Sequence, residues 1–199
     1  MALREIAEIE GLLLIEPAKL GDERGFFSET FNAGRLAGLG FERAFVQDNH
    51  AYTAAAGTLR GLHYQAPPFA QDKLLRVVRG AILDVALDIR RGSPSFGDHA
   101  AVKLSAANWR QLLVPVGFAH GYLTLEPDTE VIYKVSADYA PDHDRGILWC
   151  DPALGIDWGI DAQAARLSGK DRAQPRFDPA ATPFGFGAAA AGAMSSGAP

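Results

Sequence analysis

The chain has 199 residues, a length that suits a single domain. Hydrophobic residues make up 48% and charged residues 22%, which is typical of a soluble globular fold, and no apolar run approaches the ~20 residues that a membrane helix needs. The formal net charge of −5 and the lack of a basic stripe argue against a nucleic-acid-binding protein, and the single cysteine, Cys150, excludes an internal disulfide.

The N-terminal residues are not expected to form a secretory signal. Acidic residues precede a short apolar stretch in MALREIAEIEGLLLIEP, whereas a signal peptide has a basic start, a longer apolar core and a small-residue cleavage site. We therefore expect a cytoplasmic protein that binds neither a membrane nor nucleic acid.

Short β-strands dominate the rest of the chain. Residues 81–89 alternate between large apolar side chains and Asp84, Ala86 and Asp88, which predicts a strand with one buried face and one more polar face. Residues 73–79 precede it across Gly80, a pattern that is consistent with a β-hairpin. Many short strands at regular spacing predict a sandwich or a barrel. Further strands are expected at 11–15, 45–49, 100–105, 111–114, 121–125, 131–135 and 147–150.

Helices are predicted at two places only, residues 32–39 and residues 162–167. The first would be capped by Asn32 and ended by Gly40. No glycine-rich loop opens a long helix, which excludes dinucleotide-binding and P-loop folds. The last stretch, 185–199, is nearly all Ala, Gly and Ser, so we expect one domain over residues 1–184 followed by a disordered tail.

Arg60 and His63 lie close together in TLRGLHYQ, residues 58–65. One interpretation is a histidine base beside an anion-binding arginine, and the other is a structural histidine next to a surface arginine. In a regular strand Arg60 would point away from His63, unless Gly61 bends the chain.

His120 ends a P-x-G-x-x-H pattern within VPVGFAHG, residues 114–121. This pattern resembles the second motif of the cupin β-barrels, in which the histidine often binds metal. Metal-binding cupins bring two further histidines and a glutamate, and the earlier segment here offers His63 alone, so we expect a barrel without a metal. A histidine that merely lines the barrel is the alternative.

Tyr133 and Asp171 are two further candidates for chemistry. Tyr133 shares a strand face with Val131 and Val135 and should face inward, where it either donates a proton or fills space. Asp171 is either a solvated loop charge or the acceptor of a histidine Nδ1–H, which would fix the histidine tautomer.

Taken in order, these segments closely resemble the dTDP-4-dehydrorhamnose 3,5-epimerase family over about residues 10–175. Each motif is weak alone, but the ordered series is specific. The resemblance implies an all-β, cupin-type jelly-roll barrel with a few short helices, assembled as a homodimer whose N-terminal segments reach the partner's site. The segments that carry it are GDERGFF (21–27), FVQDNH (45–50), LRGLHYQ (59–65), KLLR (73–76), DIR (88–90), SPSFG (93–97), VPVGFAHG (114–121), YK (133–134) and LSGKD (167–171).

The resemblance also implies roles for individual residues. His63 would be the base, paired with Asp171, and Tyr133 would be the acid on the opposite face of the sugar. Lys73 is the first candidate to stabilise the enolate oxygen, and Arg60 is the second. Asp144 stands where the family commonly has glutamate, so its reach differs. The positions that match substrate contacts are Arg24, Glu29, Gln47, Asn49, Arg60, His120, Asp144 and Lys170.

The implied reaction inverts C3 and C5 of a dTDP-linked 4-keto-6-deoxyhexose in dTDP-rhamnose biosynthesis, with no cofactor. The C4 keto group acidifies the protons at both carbons, and an imidazole, whose ordinary pKa is ~6.5, is a suitable base near neutral pH. Three alternatives stay open: an epimerase acting at C3 or C5 alone, a metal-dependent cupin enzyme, and a non-catalytic sugar-nucleotide-binding protein. The role of Asp84 is also open.

Overall fold

The computed structural model describes residues 2–5 and 9–187. Two short α-helices, α1 (Ala33–Ala37) and α2 (Gly169–Arg172), and two 3-10 turns, Pro141–His143 and Pro152–Leu154, interrupt a chain that is otherwise built from strands. The strands are β1 (Ala2–Glu5), β2 (Leu13–Glu16), β3 (Leu20–Asp22), β4 (Gly25–Phe27), β5 (Gln47–Thr53), β6 (Leu59–Gln65), β7 (Lys73–Arg79), β8 (Ala81–Asp88), β9 (Arg90–Arg91), β10 (His99–Ser105), β11 (Gln111–Val114), β12 (Phe118–Thr124), β13 (Thr129–Val135), β14 (Asp144–Gly146) and β15 (Phe184–Gly185).

Two antiparallel sheets face each other. The larger sheet has the order β1-β2-β11-β7-β13-β5, and the smaller has the order β10-β8-β12-β6-β14. A separate two-stranded pair, β3 with β4, lies outside both sheets, and β15 pairs in parallel with β9. This is the cupin-type jelly roll that the family resemblance implied. No helix in the described ranges has both the length and the apolar character needed to span a bilayer.

The smaller sheet is buried on both faces. Its inner face contributes Ile82 and Ala86 to an apolar cluster shared with Leu75 and Leu112 of the larger sheet. Its outer face packs under the segment that follows β14, where Trp149 joins a second cluster. The expected polar face of β8 therefore points into the barrel, and its carboxylates Asp84 and Asp88 are both fully buried.

The predicted hairpin across Gly80 is wrong, because β7 and β8 belong to different sheets and do not pair. Gly80 carries the chain from one sheet to the other with a φ of 76°, which favours glycine. A Cβ at this position would also lie 2.3 Å from Oγ1 of Thr129. The same alternating sequence pattern is expected for a hairpin and for a corner between two sheets. The two cannot be told apart locally, because the sheet to which a strand belongs depends on partners that are distant in sequence.

Most other predicted strands are present, with ends that differ by a few residues. Residues 147–150 are an exception, because they form a turn after β14 whose side chains Ile147 and Trp149 are buried under the smaller sheet. Residues 162–167 form a turn at 162–164 and no helix. The first predicted helix is confirmed as α1, with the Asn32 side chain accepting from the Arg35 backbone N–H at 3.0 Å.

The predicted tail boundary needs an adjustment at its first residues. Gly185 belongs to β15, and the backbone N–H of Phe186 donates to the carbonyl of Arg91 at 2.9 Å. Ordered chain therefore extends past residue 184, because the edge of β9 offers free backbone partners. The rest of the expected tail, 188–199, lies outside the described residues.

Candidate active site

A polar cavity of about 280 Å³ opens between the two sheets. His63, Arg60 and His120 line it from the smaller sheet, and Lys73 and Tyr133 line it from the larger one. Lys170 and Asp171 of α2 contribute from the rim. A neighbouring cavity of about 330 Å³ shares His63, Lys73 and Tyr133 with the first and adds Gln47, Asn49, Tyr139 and Asp144.

Arg60 and His63 reach the same cavity because β6 contains a bulge between them. Arg60 is opposite Tyr122 and His63 is opposite His120, so two residues of β6 face a single residue of β12. Gly61 has a φ of 126°, and a Cβ there would lie 2.5 Å from the Cα of Gly121. The chain therefore bends at Gly61, which is the condition under which the sequence allowed Arg60 and His63 to face the same side.

His63 is held by Asp171 through a short contact. Its Nε2 lies 2.6 Å from Oδ1 of Asp171, which also accepts from the Gly61 backbone N–H at 3.3 Å. The Ser168 hydroxyl caps α2 and donates to the other carboxylate oxygen at 2.7 Å. The expected Nδ1 contact is therefore wrong. Asp171 approaches from α2, behind Gly61, and meets the Nε2 edge of the ring, which leaves Nδ1 as the second ring nitrogen.

The Asp171 carboxylate stays ionised although it is buried. Burial raises its pKa, but the hydrogen bonds from His63, Ser168 and the Gly61 backbone together hold the pKa below its ordinary value. An ionised carboxylate stabilises an imidazolium and fixes the ring in one orientation. The pair is thus arranged so that His63 can accept a proton.

Lys73 and Tyr133 stand on the wall that faces His63. Burial lowers the pKa of Lys73 to about 8, although the carboxylates of Asp84 and Asp144 oppose that shift. Burial raises the pKa of Tyr133, and the nearby Arg60 charge offsets part of the rise. Near neutral pH the cavity therefore holds a cationic amine and a neutral phenol.

A second histidine–carboxylate pair lies deeper in the barrel. Nε2 of His120 is 2.9 Å and 3.0 Å from the two carboxylate oxygens of Asp84, and both residues are buried. Asp84, whose orientation the sequence left open, points inward, orients His120 and faces the Lys73 charge. His120 itself forms part of the cavity wall.

Asp144 and Lys170 form an ion pair at the rim. The Tyr139 hydroxyl also donates to Asp144 at 3.0 Å, and the exposed Tyr139 ring stands beside the second cavity. At the same cavity, Nε2 of Gln47 donates to Oδ1 of Asn49 at 2.8 Å. Four of the predicted substrate contacts therefore lie together around the opening that leads to His63: Gln47, Asn49, Asp144 and Lys170.

Two predicted contacts, Arg24 and Glu29, do not reach either cavity within one chain. Arg24 is exposed at the β3–β4 turn and pairs with Asp22. Glu29 pairs with Arg35 at 3.1 Å and lines a different cavity, on the outer face of the larger sheet. The expectation that they contact the substrate is therefore not met by one chain alone, because neither residue lines the cavities around His63.

Sequence reasoning missed two residues with hydroxyl groups that line the first cavity, Tyr122 and Ser168. The period of two on β12 could have found Tyr122, since it lies two residues beyond His120 on the same strand. Ser168 carries the signal of a helix N-cap. Within the described ranges, no three His, Cys, Asp or Glu side chains gather as metal ligands would.

The cavity brings together a paired histidine, a partly buried amine and a phenol on the facing wall, which are groups that can move protons to and from a bound molecule. The comparisons with known proteins place this site in the class of sugar-nucleotide epimerases. A family model described as dTDP-4-dehydrorhamnose 3,5-epimerase matches residues 6–179. The chain belongs to this family of enzymes.

Individual relatives agree with the family assignment. The chain is 49% identical over 170 residues to dTDP-4-dehydrorhamnose 3,5-epimerase of Sinorhizobium fredii, with 85% of each chain covered. The crystal structure of the Bacillus anthracis epimerase, with TDP and PPi bound, matches with a TM-score of 0.85 and 49% identity, covering 88% of this chain and 99% of that one. The Legionella pneumophila epimerase in complex with dTDP-4-keto-L-rhamnose matches with a TM-score of 0.84 and 42% identity, covering 92% and 97%.

Proposed function

We propose that the chain epimerises C3 and C5 of dTDP-4-dehydro-6-deoxy-D-glucose to give dTDP-4-dehydro-L-rhamnose, by proton transfers between its own side chains and the sugar. One observation carries the assignment of roles. His63 belongs to the smaller sheet and Tyr133 to the larger, and both line one cavity. A sugar ring held between the sheets would present one face to each residue, as inversion requires.

The first half of the reaction is proton removal. The C4 keto group acidifies the adjacent C–H bonds, and His63 takes the proton on its free ring nitrogen, becoming an imidazolium that Asp171 stabilises. The electron pair moves onto the C4 oxygen, where the Lys73 ammonium is the proposed partner of the enolate. Placed donors of this kind are worth about 3–4 kcal/mol each in a water-poor site.

The second half is proton return from the other side. Tyr133 gives its phenolic proton to the same carbon, and the enolate collapses to the ketone with inverted configuration. His63 then loses its proton and Tyr133 regains one before the second carbon reacts. Each inversion therefore moves one proton off the sugar and one proton on, with no net redox change.

The nucleotide would occupy the second cavity and its rim. Gln47, Asn49 and Asp144 offer polar atoms there, and the exposed Tyr139 ring offers a face for stacking on a base. Arg60, His120 and Lys170 supply donors nearer the sugar, where an arginine fork also suits a phosphate.

A homodimer would bring Arg24 and Glu29 to the site of the second chain. Support comes from the β3–β4 pair, which is exposed along its length and carries large apolar side chains: Leu20, Phe26 and Phe27 are 67%, 55% and 69% exposed. Side chains of this size are normally covered. An Arg24 presented by the partner would be the first candidate to meet the diphosphate.

The test is NMR of dTDP-4-keto-6-deoxyglucose with the enzyme in heavy water. Deuterium should appear at both C3 and C5 of the product, and His63→Ala should abolish turnover while His50→Ala, on the outer surface, should not. Deuterium at one carbon would instead indicate a single-position epimerase. Turnover lost with a removable stoichiometric metal would indicate a metal-dependent enzyme, and ligand binding without turnover would indicate a binding protein.

A further inference from the structure

The loop that carries Tyr139 is held by side chains. Residues 136–140 link β13 to the 3-10 turn at Pro141–His143 and have no regular secondary structure. Among residues 9–187, no backbone–backbone hydrogen bond involves residues 137–139. At the start of the loop, Nε2 of Gln71 donates to the carbonyl of Ala137 at 2.7 Å. The Tyr139 ring lies further along, beside the second cavity, and needs an anchor of its own.

The side chain of Gln65 supplies that anchor. Its Nε2 donates to the carbonyl of Asp138 at 3.1 Å, and its Oε1 accepts from the backbone N–H of Ala140 at 2.8 Å. One amide therefore bonds the residues on both sides of Tyr139. Nε2 also donates to the carbonyl of Phe69 at 2.7 Å, which joins a second loop to the same side chain.

The hydrogen bonds of Gln65 indicate that it acts through the loop. Both hydrogens of its amide are donated to backbone carbonyls, so none is left for a bound molecule. Gln65 is 5% exposed, whereas Tyr139 is 59% exposed. The Tyr139 hydroxyl donates to Asp144 at 3.0 Å. The aromatic ring is thus fixed at two ends, by Asp144 at the hydroxyl and by Gln65 at the backbone.

Gln65 also joins the loop to the strand that carries the proposed base. It is the last residue of β6, two positions after His63, and it pairs with Asp144 of β14. Groups on a strand within a sheet are held more precisely than groups on a loop. A nucleotide base stacked on Tyr139 would therefore lie at a defined distance from His63, set by a short length of strand and one amide.

We propose that Gln65 is a positioning residue, which fixes the Tyr139 ring as the stacking surface for the nucleotide base before the substrate binds. The inference rests on the proposed function, in which the base stacks on Tyr139. A loop that is already ordered reduces the conformational entropy that binding costs. This gain is the same in the ground state and in the transition state, so loss of the Gln65 contacts should raise KM and leave kcat nearly unchanged.

Gln65→Met tests the contact, because methionine is similar in length and has no N–H to donate. KM and kcat are measured with dTDP-4-keto-6-deoxyglucose, and Kd is measured with dTDP alone by titration calorimetry. KM and Kd should both rise about tenfold, with kcat within about twofold, as expected when a loop and an aromatic side chain must be ordered on binding. In a Tyr139→Ala chain the same substitution should change Kd less than about twofold, because the ring that Gln65 positions is already absent.

Thr124→Val is the matched control. Thr124 is 1% exposed, and its hydroxyl donates to the carbonyl of Ala55 at 2.9 Å and accepts from the Thr58 backbone N–H at 3.0 Å. These residues line neither cavity. The control should lower the melting temperature, as Gln65→Met does, and leave KM and Kd within about twofold. If Gln65→Met does not fold, Gln65→Glu, which lacks both donated hydrogens, replaces it in the same cycle with the same expected rise in Kd.

Several results would overturn the proposal. Unchanged KM and Kd, an equal loss of affinity in the Tyr139→Ala chain, or a fall in kcat alone would each show that Gln65 does not act through Tyr139. An equal rise in KM for Thr124→Val would show a general effect of lost stability.

The two measurements separate this inference from the proposed function. Wild-type turnover of the keto sugar, with KM and Kd of Gln65→Met unchanged, would remove only the role of Gln65. Binding of dTDP that depends jointly on Gln65 and Tyr139, without turnover by the wild type, would remove the proposed epimerisation and leave the positioning role standing. Absence of both binding and turnover in the wild type would remove both.

Discussion

Replacing Asp171 with asparagine tests the charge of the histidine pair without altering its shape. Oδ1 of Asp171 accepts from His63 and from the Gly61 backbone, so an asparagine would place its carbonyl oxygen there and keep both hydrogen bonds. The amide nitrogen would then replace Oδ2, and the Ser168 hydroxyl can rotate to accept from it. The ring orientation of His63 is retained, and the variant loses mainly the negative charge.

The size of the effect follows from the contact itself. A hydrogen bond between a charged donor and a charged acceptor contributes about 1.5–3 kcal/mol, more than a neutral bond of the same geometry. The imidazolium appears only after His63 has taken the proton, so the loss falls on the transition state. At about 1.4 kcal/mol per tenfold, kcat of Asp171→Asn should drop roughly 10- to 100-fold with little change in KM.

The assay is the initial rate of deuterium entry at C3 and C5, followed by NMR in heavy water. Ser168→Ala is the matched control, because it removes one hydrogen bond to the same carboxylate and keeps the charge, and its loss should be less than about tenfold. Wild-type exchange rates in Asp171→Asn would refute the reasoning. A loss of exchange equal to that of Ser168→Ala would show that orientation and not charge is what Asp171 supplies.

Three further predictions follow from the geometry. Because the Lys73 pKa is lowered to about 8, kcat should fall as pH rises through that value and the ammonium is lost; a kcat that stays flat through this range would show that the Lys73 ammonium is not required. Gly61→Ala should destabilise the fold by about 3 kcal/mol or more in urea unfolding, because its Cβ would overlap Gly121 at a positive φ, whereas Gly155→Ala, at a positive φ with open space, should cost about 1–2 kcal/mol. Light scattering should show a dimer, and Arg24→Ala should weaken nucleotide binding without lowering that mass; a monomer would contradict both.

Local patterns in the sequence were sufficient for most strands and for α1. Alternation of side chains and a capping residue are properties of neighbouring positions, so β13 and the Asn32 cap could be predicted directly. The corner at Gly80 could not, because β7 pairs with β13, 51 to 62 residues further along the chain, and β8 pairs with β12, 30 to 42 residues further along. The strand predicted at 147–150 is absent for a related reason. Apolar side chains that are buried under a sheet give the same sequence pattern as apolar side chains within a strand.

The candidate site could be predicted from local sequence patterns even less well than the fold. His63 meets Asp171 across 108 residues, and nothing in the spacing predicts that contact. Arg60 and His63 share a cavity only through the bulge at Gly61, a displacement of one residue that the sequence left open. The ordered series of family segments supplied these pairings, whereas Tyr122 belongs to none of the roles that the series implied.

The two buried faces of the smaller sheet explain how the barrel accommodates so many polar groups. Asp84 lies inward on β8, between Leu83 and Val85, which face outward under Trp149 and its neighbours. Since the outer layer buries the large apolar side chains of this sheet, its inner face is free to carry ionisable residues near His120. Burying charged groups in the interior is unfavourable unless they are paired. Apolar contact outside the barrel therefore offsets the cost of the polar cavity inside it. The alternation in β8, which predicted one buried face and one more polar face, corresponds to two buried faces, of which the inner one is the more polar.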